Sequence, residues 1–345
     1  MTRNSVAFPI GAASDLTPLF SYQPSSVTLA DGIAHTINQT LLRDLYYGAW
    51  AHVWVDKSSQ CQVTIASPNP TDDLTRYETQ IPAFIAAARA GLEIYTASAS
   101  KLPATGVSFL PPFGLSMLNT KSIQLLHYPP TETLDYLDYL YSPTNRRWES
   151  LLGYNGFPGA ENTLVETIVD LIPIAAGGGS AGSTALEPVE NAFVAYAQQM
   201  LDVYLRPSPS GKATQPIVAY GEPVRAFLEA NFDQSELEVL SVISLRLMTG
   251  GPTTPVLCAN HPSDFLSAAG RHETAEPSPA DQKYPPQDPK AILLQDLKAA
   301  RWQTTMSQNP DADPKQTLQD ASDYWDQNPD LVAQIFAEQM SEFES

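Results

Sequence analysis

Cysteine is scarce in this chain: only Cys61 and Cys258 occur in 345 residues. They lie far apart, form no Cys-x-x-Cys pair, and so exclude a disulfide scaffold or a cysteine-based metal centre. We expect both to be small, buried apolar residues. His35, His52 and His272 show no metal-ligand spacing with one another or with cysteine, so neither a metal nor a cofactor is expected.

Basic residues are also few. The chain has 19 Lys and Arg against 38 Asp and Glu, a net charge of −19. Residues 273–345 hold 5 basic and 14 acidic residues, which places −9 of that charge in the last fifth of the chain. A strongly acidic protein does not attract phosphate backbones at long range, so any function on nucleic acid must overcome this repulsion.

Long apolar runs are absent. No stretch of about 18 uncharged apolar residues occurs, and the N-terminus lacks the basic-then-apolar order of a signal peptide. These patterns predict a protein that does not contact membranes and resides in the cytoplasm. The apolar content of 43% is sufficient for a core in one large domain or two ordinary ones.

Composition and patterning divide the chain into four regions. Residues 1–115 indicate an N-terminal α+β extension. Residues 116–275 alternate apolar runs with helix-length segments, which predicts a short parallel sheet between two helical layers, a three-layer α/β sandwich. The Pro-rich residues 276–289 are typical of a linker, and residues 290–345 indicate an acidic helical appendage.

Local sequence patterns predict individual elements within two of these regions. Two β-prone runs within residues 46–66 flank a polar turn at Asp56–Gln60, which predicts a hairpin. In the C-terminal region, three helices are expected to begin with an N-cap side chain before a proline: Asp288–Pro289, Asp313–Pro314 and Asn328–Pro329.

Three apolar runs in the middle region end in residues of chemical interest. In "SIQLLHYPP" the apolar residues are followed by His127, "PIVAYG" ends with Gly221, and in "PVLCANHPS" the apolar residues are followed by Asn260 and His261. Carboxyl ends of parallel strands meet at one edge of a sheet, which is where ligands bind in such folds. We therefore expect His127, Gly221 and His261 at the same edge.

The run "PIVAYGEPVRAFL" followed by "ANHPSDFLSAAGR" resembles the C-terminal half of the uracil-DNA glycosylase superfamily. In that family a strand ending in glycine, and its helix, precede a strand that delivers a His-Pro-Ser loop. The resemblance covers about residues 120–272. It implies a uracil-DNA glycosylase-like fold and a DNA repair enzyme that hydrolyses the N-glycosidic bond of a flipped uracil or modified base in DNA.

The resemblance also implies roles for individual residues. His261 would donate a hydrogen bond to the departing base, and His127 in the other loop is the second catalytic candidate. Ser263 and the loop backbone would grip a phosphate, while Phe265 or Leu266 would fill the gap left by the flipped base. The substrate-binding residues it implies are Tyr128, Pro129, Asn260, Ser263, Phe265 and Leu266.

This sequence departs from the family pattern at the first motif. There the family has a strand that ends in a loop, with an Asp or Asn before a proline to position water. The best match is "SIQLLHYPP", in which Tyr128 occupies that place. A rival match is "YNGFPGAEN", with Phe157 in that place, but "WESLLG" before it predicts a helix. Neither supplies the usual group, which favours an altered substrate or a changed mechanism.

Two other functions remain open. The acidity and the poor first motif are compatible with a non-catalytic interaction protein whose C-terminal helices contact a protein partner, with His261 a structural residue. A nucleotide or nucleoside hydrolase on the same kind of sheet would need no basic groove.

The adjacent pair Arg146 and Arg147 is expected in a loop after Pro143, where it could contact phosphate. Gly177–Gly182 lacks the Lys-Ser/Thr of a phosphate loop.

Overall fold

The computed structural model describes much of the chain after residue 83 and four short strands before it. The described residues are 26–29, 34–36, 51–55, 61–65, 83, 86–88, 90–103, 107–109, 122–129, 143–156, 166–176, 184–205, 210–246, 249–273 and 288–344. The glycine-rich segment 177–182 and residues 276–287 of the predicted linker lie outside them.

The N-terminal strands form a four-stranded sheet in the order β2-β1-β4-β3. They are β1 (Ser26–Leu29), β2 (Ala34–Thr36), β3 (Ala51–Val55) and β4 (Cys61–Ile65). Strands β3 and β4 pair antiparallel, with Val55 opposite Cys61, so the predicted hairpin around Asp56–Gln60 is confirmed.

A five-stranded sheet forms the centre of the described structure, in the order β10-β11-β9-β6-β7. Its strands are β6 (Ser122–Leu126), β7 (Glu166–Asp170), β9 (Ile217–Tyr220), β10 (Val242–Arg246) and β11 (Thr253–Ala259). All neighbours are parallel except β10, which is antiparallel to β11 at one edge. Two further short strands, β5 (Ser108–Phe109) and β8 (Ile174–Ala175), pair antiparallel with each other.

The connections of this sheet reverse direction beside its central strand. The chain passes from β6 outward to β7, then returns to place β9 on the opposite side of β6 and β11 beyond it. Such a reversal opens a crevice at the carboxyl ends of the two strands that flank it, here β6 and β9. The topology therefore places the switch point of the sheet, where ligands bind in such folds, at the edge that the sequence predicts.

Seven α-helices are described in full. They are α1 (Pro143–Tyr154), α2 (Val194–Tyr204), α3 (Gly221–Asn231), α4 (Ser263–Glu273), α5 (Pro289–Gln308), α6 (Pro314–Asp326) and α7 (Pro329–Glu344). A 3-10 turn at Glu190–Phe193 leads directly into α2. Among the described helices, none combines the length and apolar character needed to cross a bilayer.

Alternate residues of the central strands face opposite helical layers. On β9, Ile217 and Ala219 pack in a core with α2 and α3. Val218 and Tyr220 pack in a second core with α1, α4 and α5. Strands buried on both faces need near-continuous apolar sequence, as "PIVAY" supplies. The predicted α/β fold with helices on both faces of the sheet is confirmed, and the sheet expected to be parallel is so except at its edge strand β10.

Helix α5 is tied into this core by buried hydrogen bonds. The Trp148 indole on α1 donates to Gln303 Oε1 over 2.9 Å, and Gln303 Nε2 donates to Ser122 Oγ on β6 over 2.6 Å. All three side chains are buried. Although the sequence places α5 beyond a linker, its residues complete the layer that covers the sheet.

Two of the three predicted helix caps form as expected. Asp288 accepts from the Lys290 backbone N–H over 3.0 Å, and Asp313 accepts from that of Gln316 over 2.8 Å. Asn328 differs, because its side-chain amide donates to the Tyr324 carbonyl in the last turn of α6 over 2.6 Å. Helix α7 still begins at the following proline, so Asn328 instead satisfies the end of the preceding helix.

Candidate functional site

The carboxyl ends of the parallel strands bring the predicted residues to one edge. Leu126 pairs with Asp170, Leu125 with Ala219, and Ala259 with Tyr220. His127, Gly221 and His261 directly follow β6, β9 and, after Asn260, β11. Their common placement at this edge follows the strand pattern of the sequence.

Gly221 lies beside His261 in a left-handed backbone conformation. Its φ of +83° lies in the left-handed region, and a Cβ built on it would lie 3.4 Å from His261 Cβ. Glycine adopts this backbone without the steric penalty that other residues meet. The turn between β9 and α3 can therefore pass directly against the His261 side chain.

His261 caps the helix that follows it. Its Nδ1 accepts from the Ser263 backbone N–H over 3.3 Å and lies 2.6 Å from Ser263 Oγ. In return, Asp264 Oδ2 accepts from the His261 backbone N–H over 3.0 Å. This is the reciprocal arrangement of a capping box, with an imidazole nitrogen in place of a hydroxyl.

The cap determines which nitrogen of His261 carries the proton. A backbone N–H can only donate, so Nδ1 is an acceptor and the neutral ring carries its proton on Nε2. Burial lowers the pKa of His261; Asp264 raises it and His127 lowers it further. The ring is therefore neutral at pH 7 and offers Nε2–H as a donor. Burial in turn raises the pKa of the Asp264 carboxyl, against the opposing effect of His261.

His127 forms a second histidine–carboxylate pair at this edge. Its Nε2 lies 2.9 Å from Glu190 Oε1, on the 3-10 turn before α2. Burial lowers the pKa of His127, while the Glu190 charge and hydrogen bond raise it to a smaller extent. A carboxylate that accepts from Nε2–H leaves Nδ1 with its lone pair, so His127 can hold and deprotonate a water. Tyr128 packs edge-on against the His127 ring, with centroids 5.0 Å apart.

The predicted loop position of Arg146 and Arg147 is wrong. Both lie in α1, which begins at Pro143, because a proline in the first helical turn loses no hydrogen bond and favours helix initiation. The Arg147 side chain is buried, with Nη1 at 2.8 Å from Asp296 Oδ2. It is therefore a core residue rather than a surface contact for phosphate.

The other predicted substrate-binding residues lie at different depths. Asn260 is buried and donates from Nδ2 to Asp296 Oδ1 over 3.1 Å. Phe265 is fully buried, with the Arg147 guanidinium carbon 4.3 Å from its ring centroid. Leu266 is half-buried, and Pro129 is buried. Only the half-buried Tyr128, Ser263 and Leu266 remain at the accessible part of this edge.

The rival first motif does not follow a strand. Asn155 closes helix α1, where its Nδ2 donates to the Leu151 carbonyl over 2.8 Å. Gly156 then takes a φ of +74°, as is common just beyond a helix end. The helix predicted before this motif is confirmed, and Phe157 lies outside the described residues.

Three carboxylates near the site were not anticipated. Asp170 is the last residue of β7, and its charge adds to burial in raising the pKa of Tyr196. A carboxylate at the end of "ETIVD" is a usable signal, because strand β7 ends at this residue. Glu190 is 63 residues from its partner His127, and Asp296 is 36 residues from its partner Asn260, so no local pattern marks them.

The described residues contain no group of three His, Cys, Asp or Glu side chains able to hold a metal. A surface cavity of about 350 Å³ lies elsewhere, between β10 and the start of α6, and is lined by neither histidine. No family model matches the chain, and comparison with curated proteins finds no match.

Proposed function

We propose that this chain hydrolyses the N-glycosidic bond of a flipped uracil or modified base, on a uracil-DNA glycosylase-like fold. The observation that carries this proposal is the His261 ring, held neutral with Nε2–H as its donor at the crevice edge of the sheet. A neutral donor fits a base that departs as an anion, because it stabilises the charge that develops on the base oxygen. The His-Pro-Ser resemblance supports the same assignment.

Cleavage of the N-glycosidic bond places negative charge on the base and positive charge on the sugar. The electron pair of the C1′–N bond moves to the base, whose oxygen is stabilised by His261 Nε2–H, while positive charge develops on the sugar. Water adds its oxygen to C1′ and loses a proton to His127 Nδ1. The Glu190 carboxylate stabilises the resulting imidazolium. The released base later takes a proton from solvent.

The His127–Glu190 pair accounts for the unusual first motif. The resemblance leaves Tyr128 where an Asp or Asn would position water. In this chain the neighbouring His127, oriented by Glu190 at 2.9 Å, supplies a base at the end of the same strand. The residue that activates water thus lies one position earlier than in the family, at His127 rather than at Tyr128. It is oriented by Glu190, which is 63 residues away in the sequence.

A second candidate acts on the same bond in a smaller substrate. The excess of acidic over basic residues, 38 against 19, disfavours a protein that binds DNA through its phosphates. A free nucleoside carries no phosphate, so its hydrolysis would not require a basic groove. Both candidates use the same two histidines and differ only in what surrounds the base.

The experiment tests DNA substrates and free nucleosides with the same proteins. Uracil-containing and modified-pyrimidine oligonucleotides, single- and double-stranded, and free nucleosides are incubated with wild type, His261→Ala and Glu187→Gln. Glu187 is an exposed carboxylate and serves as the control. We expect release of free base by wild type and Glu187→Gln, with loss in His261→Ala. No release from any substrate would overturn the proposal and favour a non-catalytic interaction protein.

A further inference from the structure

The residues on either side of His261 are held by helix α5, where Asn260 Nδ2 donates both to Gln295 Oε1 over 2.9 Å and to the buried carboxylate of Asp296. Asp296 Oδ1 accepts from Asn260 Nδ2 over 3.1 Å, and its Oδ2 lies 2.8 Å from Arg147 Nη1. The same Arg147 nitrogen donates to the Pro262 carbonyl over 3.3 Å. The loop that carries His261 is thus anchored to α5 on one side directly and on the other through Arg147.

This ion pair is poorly explained by stability alone. The Asp296 side chain is 0% exposed and that of Arg147 is 4% exposed. Burial raises the pKa of Asp296 to about 6, so the cost of removing the charge from water exceeds the attraction of Arg147. Arg147 Nε and Nη2 have no hydrogen-bond partner among the described residues. Apolar residues of similar volume often stabilise such a site as well or better.

The contacts of the pair converge instead on the His261 loop. Besides Pro262 and Asn260, the Arg147 guanidinium lies over the Phe265 ring in the first turn of α4. That turn contains Ser263, which holds His261 Nδ1. Every described partner of this pair therefore borders His261 or the helix turn that orients its ring.

We propose that Arg147 and Asp296 are positioning residues for His261, which fix the loop so that Nε2–H points toward the departing base. Helix α5 is the first of the three C-terminal helices and lies beyond the region that resembles a known family. Under this proposal it contributes a positioning residue to the active site. The catalytic consequence rests on the proposed function, whereas the orientation of the ring does not.

The chain offers a matched control on the same helix. Lys298 Nζ on α5 lies 2.8 Å from Asp326 Oδ1 on α6, an ion pair that also packs helices together. None of its described contacts involves the His261 loop. Lys298→Met removes it and reports the effect of weakened α5 packing alone.

The test uses the full chain with ¹⁵N-labelled histidine. Its variants are Arg147→Met/Asp296→Leu, which replaces the pair by apolar residues of similar size, and Lys298→Met. The ring signals of His261, identified by their loss in His261→Gln, are recorded by NMR. We expect wild type and Lys298→Met to show one tautomer with the proton on Nε2. The double variant should show shifted signals, because Arg147 no longer contacts the Pro262 carbonyl and the Phe265 ring beside His261.

Kinetics supply the second measurement. Misplacement of a reacting group by about 1 Å can cost on the order of 100-fold in rate, so kcat for base release should fall by about that factor in the double variant while KM stays near wild type.

Unchanged His261 signals in a folded double variant would overturn the proposal. Failure of the double variant to fold would also contradict it, since the pair would then serve stability. Altered His261 signals in a chain whose wild type releases no base would overturn the proposed function and leave the positioning intact.

Discussion

Gly221 and His261 lie in contact across the ends of two neighbouring parallel strands. A Cβ at position 221 would approach His261 Cβ to 3.4 Å and His261 Cδ2 to 3.8 Å. Since β9 and β11 are adjacent and parallel, the residues that follow them meet at the crevice. The glycine therefore determines how closely the backbone can approach the proposed hydrogen-bond donor.

Gly221→Ala is expected to impair both stability and base release. A non-glycine residue at φ +83° costs about 1–2 kcal/mol, and a backbone shift that relieves this strain would move the new Cβ, which starts 3.4 Å from His261 Cβ, relative to the His261 side chain. Gly211→Ala is the matched control, because Gly211 has a φ of +78° and no atom within 4 Å of its Cβ position. Both variants should lose similar free energy of unfolding in denaturant titrations, but only Gly221→Ala should lose activity. Equal activity in the two would contradict this.

Glu190→Gln tests the second histidine. The Glu190 carboxylate raises the pKa of His127, so its removal should move the His127 titration to lower pH. The rate of base release should fall by about 100-fold, because the imidazolium formed on proton transfer loses its counter-charge. NMR titration of the His127 ring measures the first effect, with Glu187→Gln as the control. A His127 midpoint that stays constant or rises would show that Glu190 does not act on this ring.

Asp296 should make the protein less stable as pH rises through the acidic range. Its pKa is about 6 in the folded chain and about 3.9 when unfolded, so between these values the folded state binds more protons. The free energy of unfolding therefore falls from pH 4 to pH 6, on the order of 3 kcal/mol, and levels off above. Asp264 on α4, whose pKa is also raised by burial, is retained in both proteins compared.

Asp296→Asn isolates this effect, because an amide resembles the protonated acid and does not titrate. Relative to the variant, wild type should lose stability between pH 4 and pH 7. Urea titrations of both proteins at a series of pH values measure the difference. Parallel curves would mean that Asp296 is ionised in the folded state across this range.

The edge of the sheet could be predicted from sequence because its signals are local. Apolar runs ending in His127, Gly221 and His261, separated by helix-length segments, require a parallel sheet whose carboxyl ends coincide. The helix caps at Asp288 and Asp313 are equally local, since cap and N–H lie within three residues.

The supporting groups could not be predicted in this way. Glu190 reaches His127 across 63 residues, and Asp296 reaches Arg147 from a helix beyond the Pro-rich segment. Pairings at such separations depend on how helices pack over the sheet, which no local period of the sequence records. Arg147 also shows that a charged residue can lie inside a helix that begins at a preceding proline, and become buried, where charge alone suggests a surface loop.

The most direct test of the proposed role of His261 is the dependence of rate on the departing base. Duplexes carrying 5-fluorouracil, uracil or thymine at one position offer leaving groups of decreasing ability, and base release is measured under single-turnover conditions for wild type and His261→Ala. If Nε2–H stabilises the departing anion, loss of His261 should cost about 100- to 1000-fold with the poorest leaving group and progressively less with the better ones. A uniform loss across the three bases, or none, would contradict the assignment of His261 as the donor.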